Sequence, residues 1–307
     1  MTTEEHGKAV TVAAINWAGK WGNKSANLAK IKTLIRDAAQ SGVKIVCFPE
    51  MALSGMDCSE EIEKTHKPCS MHTAAAETIP GPSSTELAEL TKELGIYVIV
   101  GMPERDAKDP DIIYNSSAIV GPEGIMGSYR KLHLGPTPMW TESMCFKPGN
   151  ELPVFETRYG LIAVQICADF WDFPEVCRIL LLKGVRIIFN PTASASGPGK
   201  AARFNALTLA RAMEDVAYVV CSNHTGKDRV TTLQGRSAIA GPAITKPSAA
   251  RFARIMAQAE DFEEIVTATL SFEAQDYARK IRRTHEKGNW NLIAEEFTRI
   301  AKAFPRK

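Results

Sequence analysis

Short apolar strands alternate with amphipathic helices from about residue 10 to residue 271, and this alternation is the feature that most limits the fold. Val10–Asn16 and Lys44–Phe48 have strand patterns, and Asn27–Ala39 between them has apolar residues at helical spacing. Two consecutive strands without a helix between them, Ile112–Val120 and Ile125–Lys131, indicate that part of the sheet is antiparallel. The pattern therefore predicts an α/β fold in which helices cover mixed sheets.

No linker, repeat or low-complexity segment divides the chain. We predict one domain over residues 1–271 and a C-terminal helical arm over residues 272–307. The last helix of the arm, over residues 290–304, has an apolar face that could pack on its own domain or on a partner. Residues 51–82 are a long polar connection, and connections of that length in compact domains are commonly functional.

The charge balance limits the class of partner. The 37 Lys and Arg residues nearly match the 35 Asp and Glu residues, which argues against nucleic acid or an anionic membrane surface. No run approaches the roughly 20 apolar residues of a transmembrane helix, and no signal peptide is visible. The seven cysteines are scattered and odd in number, unlike a secreted disulfide framework. We therefore expect a cytoplasmic protein with reduced thiols that acts on a small molecule.

Three reactive side chains come directly after apolar strands: Glu50, Lys131 and Cys167. Strand ends in α/β sheets commonly open into the ligand crevice. There the three residues would supply a base, a cation for a developing oxyanion and a nucleophile. Spacing alone leaves a structural interpretation open, because free cysteines are usually buried and charged residues after a strand are usually solvated.

The strings around these residues resemble the nitrilase superfamily of carbon–nitrogen hydrolases. The main motifs are Phe48–Gly55, Tyr129–Leu134 and Ile166–Asp169. Supporting strings occur in the family's order: Ile79–Pro82, Tyr114–Ser116, Gly121–Gly124, Asn190-Pro191, Arg211–Glu214 and Gly235–Ser237. The resemblance covers about residues 10–271. It implies an α-β-β-α sandwich and a homodimer or larger homo-oligomer, and it implies neither a cofactor nor a metal ligand.

The same resemblance implies roles for individual residues. Glu50 would take the proton of the Cys167 thiol, and the resulting thiolate would attack the substrate carbon. Lys131 and the backbone N–H of Ala168 would stabilise the oxyanion. Glu142 is similar to a second glutamate that the family often has between the lysine and the cysteine.

The expected reaction is hydrolysis of a non-peptide C–N bond in a small linear amide or an N-carbamoyl amine. It would pass through a thioester and release ammonia or an amine. Asp169, two residues after the nucleophile, resembles these amidase branches, and hydrolysis of nitriles is the alternative. Six residues are predicted to line the pocket, although Phe170 and Trp171 fit a core equally well: Asp169, Phe170, Trp171, His133, Trp140 and Asn190. The segment from Cys167 to Pro174 is one residue longer than expected, which predicts an altered oxyanion turn or an altered pocket wall.

A zinc-binding loop in a non-catalytic protein is an alternative from a different class. His66, Cys69 and His72 have short spacings, with Cys58 upstream, and zinc accepts such ligands. The usual Cys-x-x-Cys pair is missing, and the corresponding region of the nitrilase superfamily is a variable substrate loop.

Two further motifs are weak. A Cys–His pair could join Cys167 to His133 or His224, but the flanking strings of a cysteine protease are missing. Gly197-Pro198-Gly199-Lys200 lacks the earlier glycine and the following Ser or Thr of a phosphate loop, so a nucleotide site is not predicted.

Overall fold

Two six-stranded sheets form the centre of the protein in the computed structural model, which describes residues 8–135, 141–242 and 253–304. The first sheet has the strand order β14-β1-β2-β3-β4-β5, with β1 at Ala9–Asn16, β2 at Ile45–Cys47, β3 at Tyr97–Arg105, β4 at Ile113–Gly121, β5 at Gly124–Arg130 and β14 at Glu264–Ser271. The second has the order β13-β12-β9-β8-β7-β6, with β6 at Phe155–Thr157, β7 at Gly160–Val164, β8 at Ile187–Thr192, β9 at Tyr218–Asn223, β12 at Ala238–Pro242 and β13 at Ala253–Gln258. A separate hairpin joins β10 (Thr225–Asp228) to β11 (Thr231–Gln234).

Helices connect the strands. They are α1 (Lys24–Gln40), α2 (Ser59–Thr65), α3 (Ser70–Ala75), α4 (Pro82–Leu94), α5 (Glu142–Cys145), α6 (Ala168–Trp171), α7 (Pro174–Leu182), α8 (Lys200–Asp215), α9 (Phe272–Arg282), α10 (Thr284–Lys287) and α11 (Trp290–Ala303). None of the helices in the described part of the chain is both long and apolar enough to cross a membrane.

Three apolar clusters define four layers. The central cluster contains residues of both sheets, such as Ile99 of β3 and Phe189 of β8, so the two sheets pack face to face. A second cluster places α1 and α4 on the outer face of the first sheet through residues such as Ile31 and Leu87. A third places α7 and α8 on the second sheet. The predicted α-β-β-α sandwich is confirmed.

The long-range pairing of β14 with β1 completes the first sheet. The two strands are antiparallel in continuous register from Ala9 opposite Ser271 to Asn16 opposite Glu264. The strands β1, β2 and β3 are parallel, as are β7, β8 and β9. The carboxyl ends of β2 and β7 lead into the segments that contain Glu50 and Cys167, and Lys131 directly follows β5.

The segment before β3 is more ordered than the sequence pattern indicates. Helix α4 begins at Pro82 with Gly81 as its N-cap, and Ser84 Oγ accepts the Gly81 N–H at 2.9 Å. Ser83 donates to the Glu77 carboxylate. Residues 51–82, expected to be a polar connection, contain α2 and α3. The few apolar residues of these helices, such as Ile62 and Met71, form a small buried cluster that packs against Trp21.

The C-terminal helices differ in how they pack. Helix α9 inserts Phe272 into the central cluster and buries Gln275, whose Nε2 donates to Val216 O at 3.0 Å. Helix α11 has no buried residue and exposes Leu292, Phe297 and Ile300.

Candidate active site

The carboxylate of Glu50 lies at the centre of a buried hydrogen-bond network. Its Oε1 accepts from Lys131 Nζ at 2.7 Å and from Asn115 Nδ2 at 2.8 Å, and its Oε2 accepts from the Ala193 N–H at 3.0 Å. The backbone before it passes so close to β3 that a Cβ on Gly101 would lie 2.2 Å from Pro49 O. The close approach therefore requires glycine at this position of β3.

Glu142 joins the same network from the other side. Its two carboxylate oxygens accept from Lys131 Nζ at 2.9 and 2.7 Å, and it also accepts from Asn115 Nδ2 and from the Gly135 N–H. Glu142 is 2% exposed, so it is not a solvated loop residue. Lys131 thus bridges two buried carboxylates.

The ammonium of Lys131 is held in its charged form. Burial by itself disfavours that form, but the carboxylates of Glu142 and Glu50 outweigh burial and raise the pKa of Lys131 well above its usual value. A charged group that is this deeply buried needs hydrogen-bonded partners of opposite charge, and both are present. A fixed positive charge at this position can stabilise a developing oxyanion.

Cys167 lies at a sharp turn between β7 and α6. Its φ of 46° and ψ of −107° are uncommon for a residue other than glycine, and its N–H donates to Pro191 O at 2.9 Å. Burial, reinforced by the negative charge of Glu50, raises the pKa of the Cys167 thiol to about 12, although Lys131 opposes this. At neutral pH the thiol is protonated and needs a base to become a nucleophile.

A cavity of about 220 Å³ opens onto these groups. Its lining residues are Glu50, Met56, Lys131, Gly135, Glu142, Cys167, Ala168, Trp171, Asp172, Ala193, Ser194, Ala195, Lys200 and Arg203. Within the described part of the chain, the N–H of Ala168 has no hydrogen-bond acceptor. The cavity therefore brings together a thiol, two carboxylates, an ammonium and a backbone donor.

The sequence model of the Carbon-nitrogen hydrolase family matches residues 10–280. The chain belongs to this family. The match begins in β1 and ends within α9, so it includes both sheets and every residue of the buried network. The protein is therefore an enzyme, a carbon–nitrogen hydrolase of the nitrilase superfamily.

Curated relatives of this carbon–nitrogen hydrolase have different names. A nitrilase of Pyrococcus abyssi is 34% identical over 70% of this chain and 75% of its own length. An N-carbamoylputrescine amidase of Solanum lycopersicum is 34% identical over 76% of this chain and 77% of its own length. Among solved structures, Saccharomyces cerevisiae Nit3, a member of branch 10 of the nitrilase superfamily, has a TM-score of 0.76 and 26% identity, covering 91% of this chain and 96% of its own.

Two predicted pocket residues of the hydrolase form a clamp beside the cavity. Asp169 is completely buried and accepts hydrogen bonds from the Tyr129 hydroxyl at 2.7 Å and from the Leu132 and His133 N–H groups. The His133 ring pairs with Asp169 and stacks on Phe173, with 3.4 Å between ring centroids. This clamp fixes the backbone that follows Lys131, so the two residues position the site without lining the cavity.

The other predicted pocket residues have different environments. Trp171 lines the cavity, and its Nε1 donates to Thr192 Oγ1 at 3.1 Å. Phe170 packs in the apolar cluster beneath α7 and α8. Asn190 is buried and donates to Gln165 O, which ties β8 to the end of β7. Trp140 lies outside the described residues.

Several site residues were missed by sequence reasoning. Asn115 was noted only as part of a supporting string, yet its amide bridges Glu50 and Glu142. Lys200 and Arg203 line the cavity, although the string before α8 had been considered only as a phosphate loop. A glycine-rich turn that fits no phosphate-loop motif, followed by a helix with cations in its first turn, is only a weak sequence signal that the helix lines a cavity.

Neither alternative motif forms as predicted. His224 Nε2 donates to the backbone oxygen of Glu50 at 2.5 Å, so this ring holds the backbone of Glu50 and does not pair with Cys167. Of the proposed zinc ligands, Cys58, Cys69 and His72 converge, but His66 is exposed at the end of α2. Cys58 and Cys69 form a disulfide, so the prediction that every thiol is free is wrong. These cysteines are the N-cap residues of α2 and α3, and the two helices bring them together.

Proposed function

We propose that this enzyme hydrolyses the C–N bond of a small linear amide or N-carbamoyl amine through a thioester on Cys167. The observation that carries the proposal is the convergence of Cys167, Glu50, Lys131 and Glu142 on one cavity. At about 220 Å³ the cavity is smaller than the roughly 300–1,000 Å³ of sites for drug-sized ligands, which favours a small substrate.

The first half of the reaction forms the thioester. Glu50 accepts the thiol proton of Cys167 as the sulfur bonds to the carbonyl carbon. The resulting oxyanion is stabilised by the Lys131 ammonium and the Ala168 N–H. Glu50 then passes its proton to the departing nitrogen, and ammonia or an amine leaves as the C–N bond breaks.

The second half removes the acyl group. Glu50 accepts a proton from water, and the water oxygen bonds to the thioester carbon. The C–S bond then breaks, Glu50 returns the proton to the Cys167 sulfur, and the acid is released. Glu142 holds Lys131 in place and keeps it charged throughout, because it contacts the ammonium with both oxygens. In this scheme Glu142 is a positioning residue.

We further propose that the substrate carries a carboxylate away from its amide. Lys200 and Arg203 lie on the first turn of α8, and the Arg203 guanidinium pairs with Asp172. No acidic side chain within the described ranges pairs with Lys200. These side chains are partly exposed, so they form the cavity entrance and leave it with one excess positive charge. That charge attracts an anionic substrate and repels a cationic one.

Trapping the intermediate tests the proposed reaction. A panel of amides, carbamoyl amines and nitriles is assayed for ammonia release, and the quenched enzyme is analysed by peptide mass spectrometry. We expect an acyl group on Cys167, no turnover by Cys167→Ala, and near-normal turnover by the control Cys145→Ala. Activity of a folded Cys167→Ala variant, or activity on nitriles alone, contradicts the proposal.

A cytoplasmic location and a homodimer or larger assembly remain part of the proposal. Five of the cysteines are free thiols, which fits a reducing compartment. Helix α11 exposes an apolar face next to Ile179 and Leu182 of α7, and contiguous apolar surface commonly marks an interface. Light scattering should give the mass of a dimer or larger oligomer for the wild-type protein. The Phe297→Asp variant should have the mass of a monomer. A monomeric wild-type protein contradicts the assembly.

A further inference from the structure

Cys58, Cys69 and His72 form a buried cluster outside the catalytic network. One Sγ or ring-nitrogen atom from each lies within 4.8 Å of the corresponding atoms of the others, and each residue is less than 5% exposed. Soft sulfur and imidazole ligands are the set that zinc prefers. In the oxidised form the two sulfurs are joined as a disulfide, and the proposed catalytic scheme uses none of the three side chains.

The orientation of His72 points to a ligand. Its Nε2 lies 3.0 Å from Gly55 O, and because a carbonyl oxygen can only accept, Nε2 carries the proton. In the neutral tautomer that this hydrogen bond selects, Nδ1 has a free lone pair. Nδ1 lies 3.4 Å from Cys58 Sγ, and a disulfide sulfur has no proton to donate. Within the described ranges this buried acceptor therefore faces the sulfurs without a donor.

This arrangement is the one that metal-binding histidines show. They usually donate the second ring N–H to a carbonyl or carboxylate, which fixes the tautomer and aims the other nitrogen at the ion. Tetrahedral zinc with Zn–S near 2.3 Å and Zn–N near 2.0–2.1 Å places sulfur and nitrogen about 3.6 Å apart. The distance between Cys58 Sγ and His72 Nδ1 is already close to that value.

We propose that the reduced form of this protein binds one zinc ion through Cys58, Cys69 and His72. A thiol reductant such as glutathione breaks the Sγ–Sγ bond: two electrons and two protons enter the protein pair, and the reductant becomes its own disulfide. Zinc then binds both sulfurs as thiolates, and two protons pass to solvent. Two thiolates and a neutral imidazole balance the charge of Zn²⁺, as a buried site requires.

Neighbouring groups support the site and connect it to the cavity. The Cys69 N–H donates to Cys145 Sγ at 3.0 Å, so a third sulfur lies beside the cluster. Gly55, which orients His72, comes directly before Met56 in the cavity wall. The His72 ring also packs on Phe146, which directly follows α5 with its Glu142. Zinc would therefore stabilise one wall of the cavity. Oxidation of Cys58 and Cys69 to the disulfide would release the zinc ion and remove this stabilisation.

The test is a metal titration of anaerobically reduced protein in a Cys167→Ala background, which removes the catalytic thiol as a competing ligand. Co²⁺ is added as the probe and then displaced by Zn²⁺. We expect one equivalent of Co²⁺ with a thiolate-to-cobalt charge-transfer band, and no such band for the disulfide form. Cys58→Ser, Cys69→Ser and His72→Asn should weaken zinc binding by more than the roughly 100-fold that loss of a supporting group can cause.

His66→Asn is the matched control, because His66 belongs to the same segment but lies outside the cluster. We expect its zinc affinity to match that of the parent. Equal affinities of His66→Asn and His72→Asn, or a folded reduced protein that binds no Co²⁺, overturn the proposal. If the variants fail to fold, thiol alkylation of the parent decides. Zinc should protect Cys58 and Cys69 from N-ethylmaleimide, and unchanged alkylation rates refute the site.

Discussion

The ammonium of Lys131 lies 2.7 Å from Oε1 of Glu50, and both side chains are almost completely buried. The same ammonium contacts Glu142, so one buried positive charge faces two buried carboxylates. Such a network stabilises the protein only while every member is present, because removal of one partner leaves buried charges uncompensated.

Replacement of Lys131 by methionine should therefore destabilise the fold as well as abolish activity. We expect Lys131→Met to lower the free energy of unfolding by about 3–5 kcal/mol, the usual effect of breaking a buried ion pair. Urea unfolding at neutral pH measures this loss. The exposed Lys92→Met on α4 should change stability by less than about 0.5 kcal/mol. A Lys131→Met protein as stable as this control would mean that the carboxylates are compensated by other groups.

Loss of the Glu142 charge should impair catalysis more than folding. Gln keeps the shape of the side chain and an acceptor for Lys131, but it no longer contributes the negative charge that holds the ammonium. We expect Glu142→Gln to lower kcat by about 100-fold, the lower end of the range for losing one oxyanion-stabilising group, because Lys131 is no longer held in place. The change in KM should be smaller. Steady-state ammonia release measures both values. The exposed Glu151→Gln is the matched control, and equal kcat values for the two variants would remove Glu142 from the mechanism.

The raised pKa of the Cys167 thiol predicts how its reactivity depends on pH. Because the thiol stays protonated up to a pH of about 12, the thiolate fraction keeps rising through the whole alkaline range below that value. Alkylation of Cys167 by iodoacetamide should therefore accelerate by about tenfold per pH unit from pH 7 to pH 10, since the thiolate is the reactive form. Peptide mass spectrometry measures the rate, with a free cysteine peptide as the reference. If the alkylation rate stopped rising below pH 8, Cys167 would already be a thiolate at neutral pH, which contradicts the prediction.

Lys200 should set the preferred charge of the substrate. Lys200→Met is expected to raise KM for a carboxylate-bearing amide by about 1.4- to fivefold, because an ion pair at a partly exposed site contributes about 0.2–1 kcal/mol. The kinetic constants for a neutral amide of equal length should not change. Lys227→Met, an exposed lysine on β10, is the control. If both substrates lose activity equally, Lys200 acts on the fold of the cavity and does not recognise charge.

The sequence by itself determined the layered fold and the placement of Glu50, Lys131 and Cys167 just after strands. Apolar periodicity is a local property, readable over a few residues, so β1, α1 and β2 were predicted to within a few residues of their bounds. Glu50, Lys131 and Cys167 were recognised because each occurs in a short motif at the end of a strand. Their chemistry depends on residue type, which the sequence states directly.

Tertiary structure alone decided which distant residues meet. Asp169 is adjacent in sequence to residues that line the cavity, yet its carboxylate is held by Tyr129 and His133 outside the cavity lining. The Cys58–Cys69 disulfide, Asn115 between the two carboxylates and Lys200 at the entrance are likewise contacts between separate elements. Such contacts depend on how sheets and helices pack and on which turns bring chain segments together, and no local pattern records these.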